Sequence, residues 1–109
     1  MKYTPIGIPK VRKRILKACL SAAIMAQLSE RRVLSATNLI EIFKRRYNIQ
    51  LSAGTVYPVL YALEKDGKIA RLPNRRKRFY VLTDKGKASI KNIRGNVEEL
   101  HKMINEMVS

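Results

Sequence analysis

Seventeen residues, Leu51 to Gly67 (LSAGTVYPVLYALEKDG), spell a helix with both of its ends specified. Ser52 suits the amino-terminal cap, where its hydroxyl would accept from the free N–H groups of the first turn. Leu51 before that cap and Val56 four residues after it match a hydrophobic staple. Gly67 suits the left-handed residue that closes a helix, with Ile69 placed to fold back on Leu63. At about 100° per residue, Val56, Val59, Leu60 and Leu63 fall on one face. Gly54, Pro58, Tyr61 and Lys65 fall on the other, with Tyr57 at its edge. A bare backbone turn, two phenols, a proline and a cation make a poor core and a good contact surface.

Two β-prone runs follow, Lys68–Leu72 and Arg78–Thr83, around the tip Pro73-Asn74-Arg75-Arg76-Lys77. A helix leading into a hairpin with a cationic tip is the plan of a winged helix. Leu51-Ser52, Gly54-Thr55, Tyr57-Pro58, Leu60, Leu63-Glu64-Lys65-Asp66-Gly67, Tyr80, Leu82-Thr83 and Lys85-Gly86 resemble the PadR family of transcriptional regulators. The match is close over residues 51–86 and elsewhere rests on layout. The Gly-Tyr pair that usually opens the family's second helix is replaced here by Ser35-Ala36-Thr37-Asn38. The resemblance implies a DNA-binding regulator, most simply a repressor, that dimerises through its terminal helices.

Charge points the same way. With 23 Lys+Arg against 8 Asp+Glu, the chain carries +15 over 109 residues, which favours a polyanionic partner, nucleic acid before an anionic membrane surface. Residues 1–50 net +9, residues 51–83 net +5 and residues 84–109 only +1. The last segment is therefore expected to face protein.

Residues 1–9 hold two prolines and a glycine and are expected to form a flexible arm. A helix is expected over Lys10–Ser29, cationic at first (Lys10, Arg12, Lys13, Arg14, Lys17) and apolar almost all round from Ile15. Such a helix needs cover on every side, so a second chain is expected against it. Basic residues before an apolar run also imitate a secretory leader, but Lys17 interrupts the run. No run reaches membrane-spanning length, and no membrane partner is expected.

Val33 and Leu34 suit a one-bridge strand, and Ser35 suits the cap of a helix reaching about Tyr47. Its inner face draws on Leu39, Phe43, Tyr47 and Ile42 or Ile40. Asn48-Ile49-Gln50 then gives helix-turn-helix spacing. Thr83 suits the cap of a last helix, 84–109, whose apolar residues Ile90, Ile93, Val97, Leu100, Ile104 and Met107 recur at intervals of 3, 4, 3, 4 and 3. That heptad seam predicts a dimer interface. The expected fold is mainly α with a small β-hairpin wing: an arm (1–9), a winged helix-turn-helix (10–83) and a long carboxy-terminal dimerisation helix (84–109).

Catalytic chemistry is missing. His101 stands beside the seam, far from any base or nucleophile, and Cys19, inside the apolar run, reads as a small core residue. One cysteine builds neither a disulfide nor a cysteine-based zinc site, which suits a cytoplasmic, nucleoid-associated protein, and no cofactor or metal is expected. The DNA contacts expected from helix 52–66 are Ser52, Gly54, Thr55, Tyr57, Tyr61 and Lys65, in the major groove. Arg75, Arg76, Lys77 and Arg78 of the wing are expected on backbone or in the minor groove. Some PadR relatives bind planar molecules at the dimer interface, but this chain has no tryptophan to stack there, so no small-molecule effector is expected. The same residues also suit an architectural protein that coats DNA without sequence preference, or a winged helix that contacts protein within a transcription or replication assembly.

Overall fold

The computed structural model describes residues 7–109. The elements run α1 (Gly7–Ala18), α2 (Leu20–Arg31), β1 (Leu34–Ser35), α3 (Ala36–Tyr47), α4 (Ala53–Lys65), β2 (Ile69–Arg71), β3 (Phe79–Leu82) and α5 (Asp84–Val108). The fold is mainly helical, with a three-stranded antiparallel sheet in the order β1-β3-β2. Leu34 faces Tyr80 across one edge of β3, and Arg71 faces Tyr80 across the other. The arm expected over residues 1–9 lies outside the described residues as far as Ile6, and Gly7 to Pro9 open α1.

The helix expected over Lys10–Ser29 is two helices joined at Cys19. The hydrogen-bond ladder survives the bend: Cys19 N–H donates to the Ile15 carbonyl at 3.0 Å, and Ala23 N–H to the Cys19 carbonyl at 2.9 Å. The bend falls where the environment changes. Ile15 is largely exposed, whereas Leu20, Ile24, Met25 and Leu28 are buried. Cys19 itself is exposed, so its reading as a core residue is corrected. The apolar half also finds much of its cover within its own protomer. α2 is the hub of the protomer, touched by α1, α4, α5 and β3.

Local chemistry sets most other boundaries. Ser35 and Asn38 form a capping box, Asn38 N–H donating to Ser35 Oγ at 3.1 Å and Ser35 N–H to Asn38 Oδ1 at 3.0 Å. Asn48, at φ 55°, turns the chain out of α3 toward α4. Gly67 (φ 76°) ends α4 in a Schellman motif: Lys68 N–H reaches the Leu63 carbonyl at 2.9 Å and Gly67 N–H the Glu64 carbonyl at 3.0 Å. Inside, Leu39 and Phe43 of α3 meet Val56 and Leu60 of α4, all fully buried, along with Ile69 and Tyr80 of the sheet and Ile90 of α5. Each fully buried aliphatic side chain contributes about 2 kcal/mol by transfer from water.

The joint between α4, the hairpin and α5 is the most tightly tied part of the molecule. Thr83 caps α5 by accepting from Gly86 N–H at 3.1 Å, and its own hydroxyl donates to the Gly67 carbonyl at 2.6 Å. Lys85 Nζ donates to the Asp66 carbonyl at 2.7 Å, a cation at the negative end of α4. A Cβ built on Gly86 would stand 2.0 Å from the Lys68 carbonyl oxygen, so no other residue fits without displacing backbone. The resemblance motif around Leu63–Gly67, Leu82–Thr83 and Lys85–Gly86 is, in physical terms, this joint.

Candidate nucleic-acid interface

α4 buries Val56, Leu60 and Leu63 and leaves Ser52, Gly54, Tyr57, Pro58, Tyr61 and Lys65 exposed, with Thr55 half-buried. The amino terminus is built differently from the expected cap. Ser52 holds the cap conformation, but its hydroxyl meets the Thr55 hydroxyl at 3.1 Å and accepts from no backbone N–H. Thr55 and Val56 N–H groups both turn to the Ser52 carbonyl. The first-turn amides of Ala53 and Gly54 have no intrahelical acceptor and carry the positive end of the helix dipole, a setting suited to phosphate oxygen. A Cβ on Gly54 would meet nothing closer than Ser52 Oγ at 3.8 Å, so the protomer itself does not require glycine there.

The hairpin stands beside this face. One cleft of about 360 Å³ is lined by Tyr57, Pro58, Tyr61, Glu64, Arg78 and Tyr80. A second, of about 630 Å³, lies along the wing between Glu64 and Arg71, Arg75, Arg76 and Arg78. Arg78 and Glu64 belong to both. Of the expected contacts, the fold therefore brings Tyr57, Tyr61 and Arg78 around one cleft and Arg75 and Arg76 with Arg78 around the other. Lys77 stands apart, its ammonium 5.9 Å from the Phe79 ring centroid. Ser52, Gly54 and Thr55 cluster at the start of α4, and Lys65 sits in its last turn.

Three residues were not among the expected contacts. Glu64 Oε2 accepts from Arg71 Nε at 2.8 Å, tying α4 to β2. Such a half-exposed pair is worth about 0.5 kcal/mol, so its main effect is to set where the wing lies. Tyr80, the strand partner of Arg71, has its phenol pushed above the ordinary value of 10.0 by burial, with the Arg78 guanidinium pulling the other way. The signal for Arg71 and Glu64 was an opposite charge on each side of the α4–β2 turn.

On α5, Ile90 is buried in the protomer's own core and Ile93 packs against that core. Val97, Leu100, Ile104 and Met107 are exposed. Among the described residues there is no group of three or more His, Cys, Asp or Glu that could hold a metal ion, and no helix is long and apolar enough to cross a membrane.

Comparisons with known proteins agree with this geometry. No curated protein sequence matches the chain. Among solved structures, the chain resembles a PadR-like transcription factor from Bacteroides fragilis, at a TM-score of 0.75 and 23% identity over 90% of this chain and 98% of that one. A PadR family regulator from Eggerthella lenta gives a TM-score of 0.77 at 19% identity, covering 94% and 92%. A winged-helix DNA-binding protein from STIV gives 0.59 at 19% identity, covering 91% and 95%. At these identities the likeness establishes the fold. The profile of the transcriptional regulator PadR-like family matches residues 24–92, most of the chain. This chain thus belongs to the PadR-like family of transcriptional regulators, with the winged-helix fold, and is not an enzyme.

Proposed function

We propose that the protein is a sequence-specific repressor that acts as a homodimer by occupying a promoter. The observation that carries this reading is the pair of adjoining clefts: the one on the exposed face of α4 and the one along the arginines of the wing meet at Arg78 and Glu64. α4 enters the major groove with Thr55, Tyr57 and Tyr61 toward base edges and the Ser52–Gly54 turn on phosphate. Arg75, Arg76 and Arg78 straddle the backbone or enter the minor groove. The exposed stripe Val97, Leu100, Ile104 and Met107 supports pairing of two copies along α5, since one chain leaves it uncovered. Two-fold symmetry then places the two α4 helices in successive major grooves, roughly 34 Å apart. The protein works in the cytoplasm on the nucleoid, without a small-molecule effector.

The excess of +15 also favours a second reading, an architectural protein that coats DNA without preference. Titrating the protein with the DNA upstream of its own gene, and with a shuffled duplex of equal length, separates the two. A specific reader prefers the first by about 10³ or more. Equal affinity for both, and for fragments selected from random sequence, rejects specificity and leaves the coating role. Changing Arg75, Arg76 and Arg78 together to alanine should abolish binding to either duplex at moderate salt. Unchanged binding would mean that the wing serves a protein partner instead.

A further inference from the structure

The recognition helix and wing account for a third of the net charge: residues 51–83 carry +5 of +15. Much of the remainder sits on α1. Lys10, Lys13, Arg14 and Lys17 fall at i, i+3, i+4 and i+7, one stripe down the helix, and all four are exposed. Like charges at this spacing repel and weaken the helix that carries them. On α3, by contrast, the basic residues are engaged. Arg45 pairs with Glu41, Arg46 with Glu30 at 3.6 Å, and Lys44 Nζ donates to Asn48 Oδ1 at 3.4 Å. Among the described residues, none of the four α1 cations takes part in an ion pair.

Position gives the stripe its direction. Ile15, Leu16 and Cys19 border a cleft of about 310 Å³ with Tyr47 and Ile49, so α1 lies against the turn that feeds the start of α4. Ile15 and Leu16 lie on the side of α1 opposite the stripe, which therefore points away from the turn and outward. The wing follows α4 in the chain, and α1 abuts the residues that precede it. Cationic residues thus lie on the elements that adjoin the recognition helix at either end, α1 beside the turn before it and the wing after it.

The geometry points to a second DNA-contacting surface on α1: Lys10, Lys13, Arg14 and Lys17 grip the phosphates of duplex flanking the segment that α4 and the wing engage. This rests on the DNA-contact reading of α4 and the wing given above. The stripe reads no sequence. It adds phosphate contacts, and hence salt dependence, to any site with enough DNA on either side.

The test replaces Lys13, Arg14 and Lys17 with glutamine, which keeps helix propensity, and confirms helix content and oligomeric state against the unaltered chain. Affinity is measured over a salt series on two duplexes, one trimmed to the bound half-sites and one extended by about 10 bp on each side. The expected result is a loss confined to the extended duplex, where the slope of log K against log salt falls by roughly 5, about 0.9 for each of the six contacts removed from the two protomers. Equal losses on both duplexes would overturn the proposal, because the cations would then act within the half-sites or through their long-range field. No change on either duplex would also overturn it. So would an unchanged DNA affinity accompanied by lost binding to vesicles of anionic phospholipid, which would assign the stripe to a membrane surface. The wing variant at Arg75, Arg76 and Arg78 runs in parallel. If it binds both duplexes normally, the reading of the wing fails, while the length-dependent loss at α1 is still scored on its own.

Discussion

The two halves of α5 carry the same apolar spacing and meet opposite fates. In the first half Gly86 and Ile90 are buried, and Ile93 packs onto the core where α5 lies along α2 and β3. In the second half every residue from Arg94 onward is exposed, Val97 at 58%, Leu100 at 56% and Met107 at 73%. The heptad interval states that a face requires cover. It does not state which chain provides it. The first half is covered by its own protomer, which makes α5 part of the winged helix at one end and a projecting rod at the other.

Substitutions in the two halves test that division. The largest effect should come from Gly86→Ala, which places a methyl against the Lys68 carbonyl and the Leu82 side chain. A loss of about 3 kcal/mol in urea unfolding is expected, and a change below about 0.5 kcal/mol would mean that the joint is loose. Next comes the matched pair Ile90→Ala and Ile104→Ala. The first should cost about 3 kcal/mol at any protein concentration, as for a buried aliphatic side chain. The second should leave the dilute protomer within about 0.5 kcal/mol and shift sedimentation from dimer toward monomer. Equal stability losses in the two variants would erase the distinction between the halves. A smaller loss than at Gly86 or Ile90 is expected for Thr83→Ala, which removes the α5 cap and the bond to the Gly67 carbonyl. About 1 kcal/mol is expected, read as a drop of roughly 5 °C in Tm.

What the sequence made legible follows from how far apart the deciding residues lie. The caps at Ser35 and Thr83 and the close at Gly67 depend on hydrogen bonds spanning a few residues, and the structure has them where the residue types ask for them. Ser52 fails at the same range for a local reason, since Thr55 offers its hydroxyl a competing partner. The bend at Cys19 was not legible, because it is set by the depth of α2 in the assembled core and no proline or glycine marks it. The exposed face of α4 followed from periodicity alone. That Glu64 and Arg71 meet across the end of α4, and that Arg78 serves two clefts, required the hairpin's packing angle, which no local pattern encodes. Separating Ile90 from Ile104 required knowing where α2 stops.

The bonds from Thr83 to Gly67 and from Lys85 to Asp66 lock the direction of α5 to that of α4. α5, with 25 residues, is a rod about 37 Å long. In a pair of protomers joined along this rod, the distance between reading heads is a length written in α5, much as the pitch of a ruler is set by its marks. Adding one helical turn between the joint and the exposed stripe would move each head by about 5 Å. The half-site each protomer reads would stay the same, and the gap between half-sites that the dimer accepts would change.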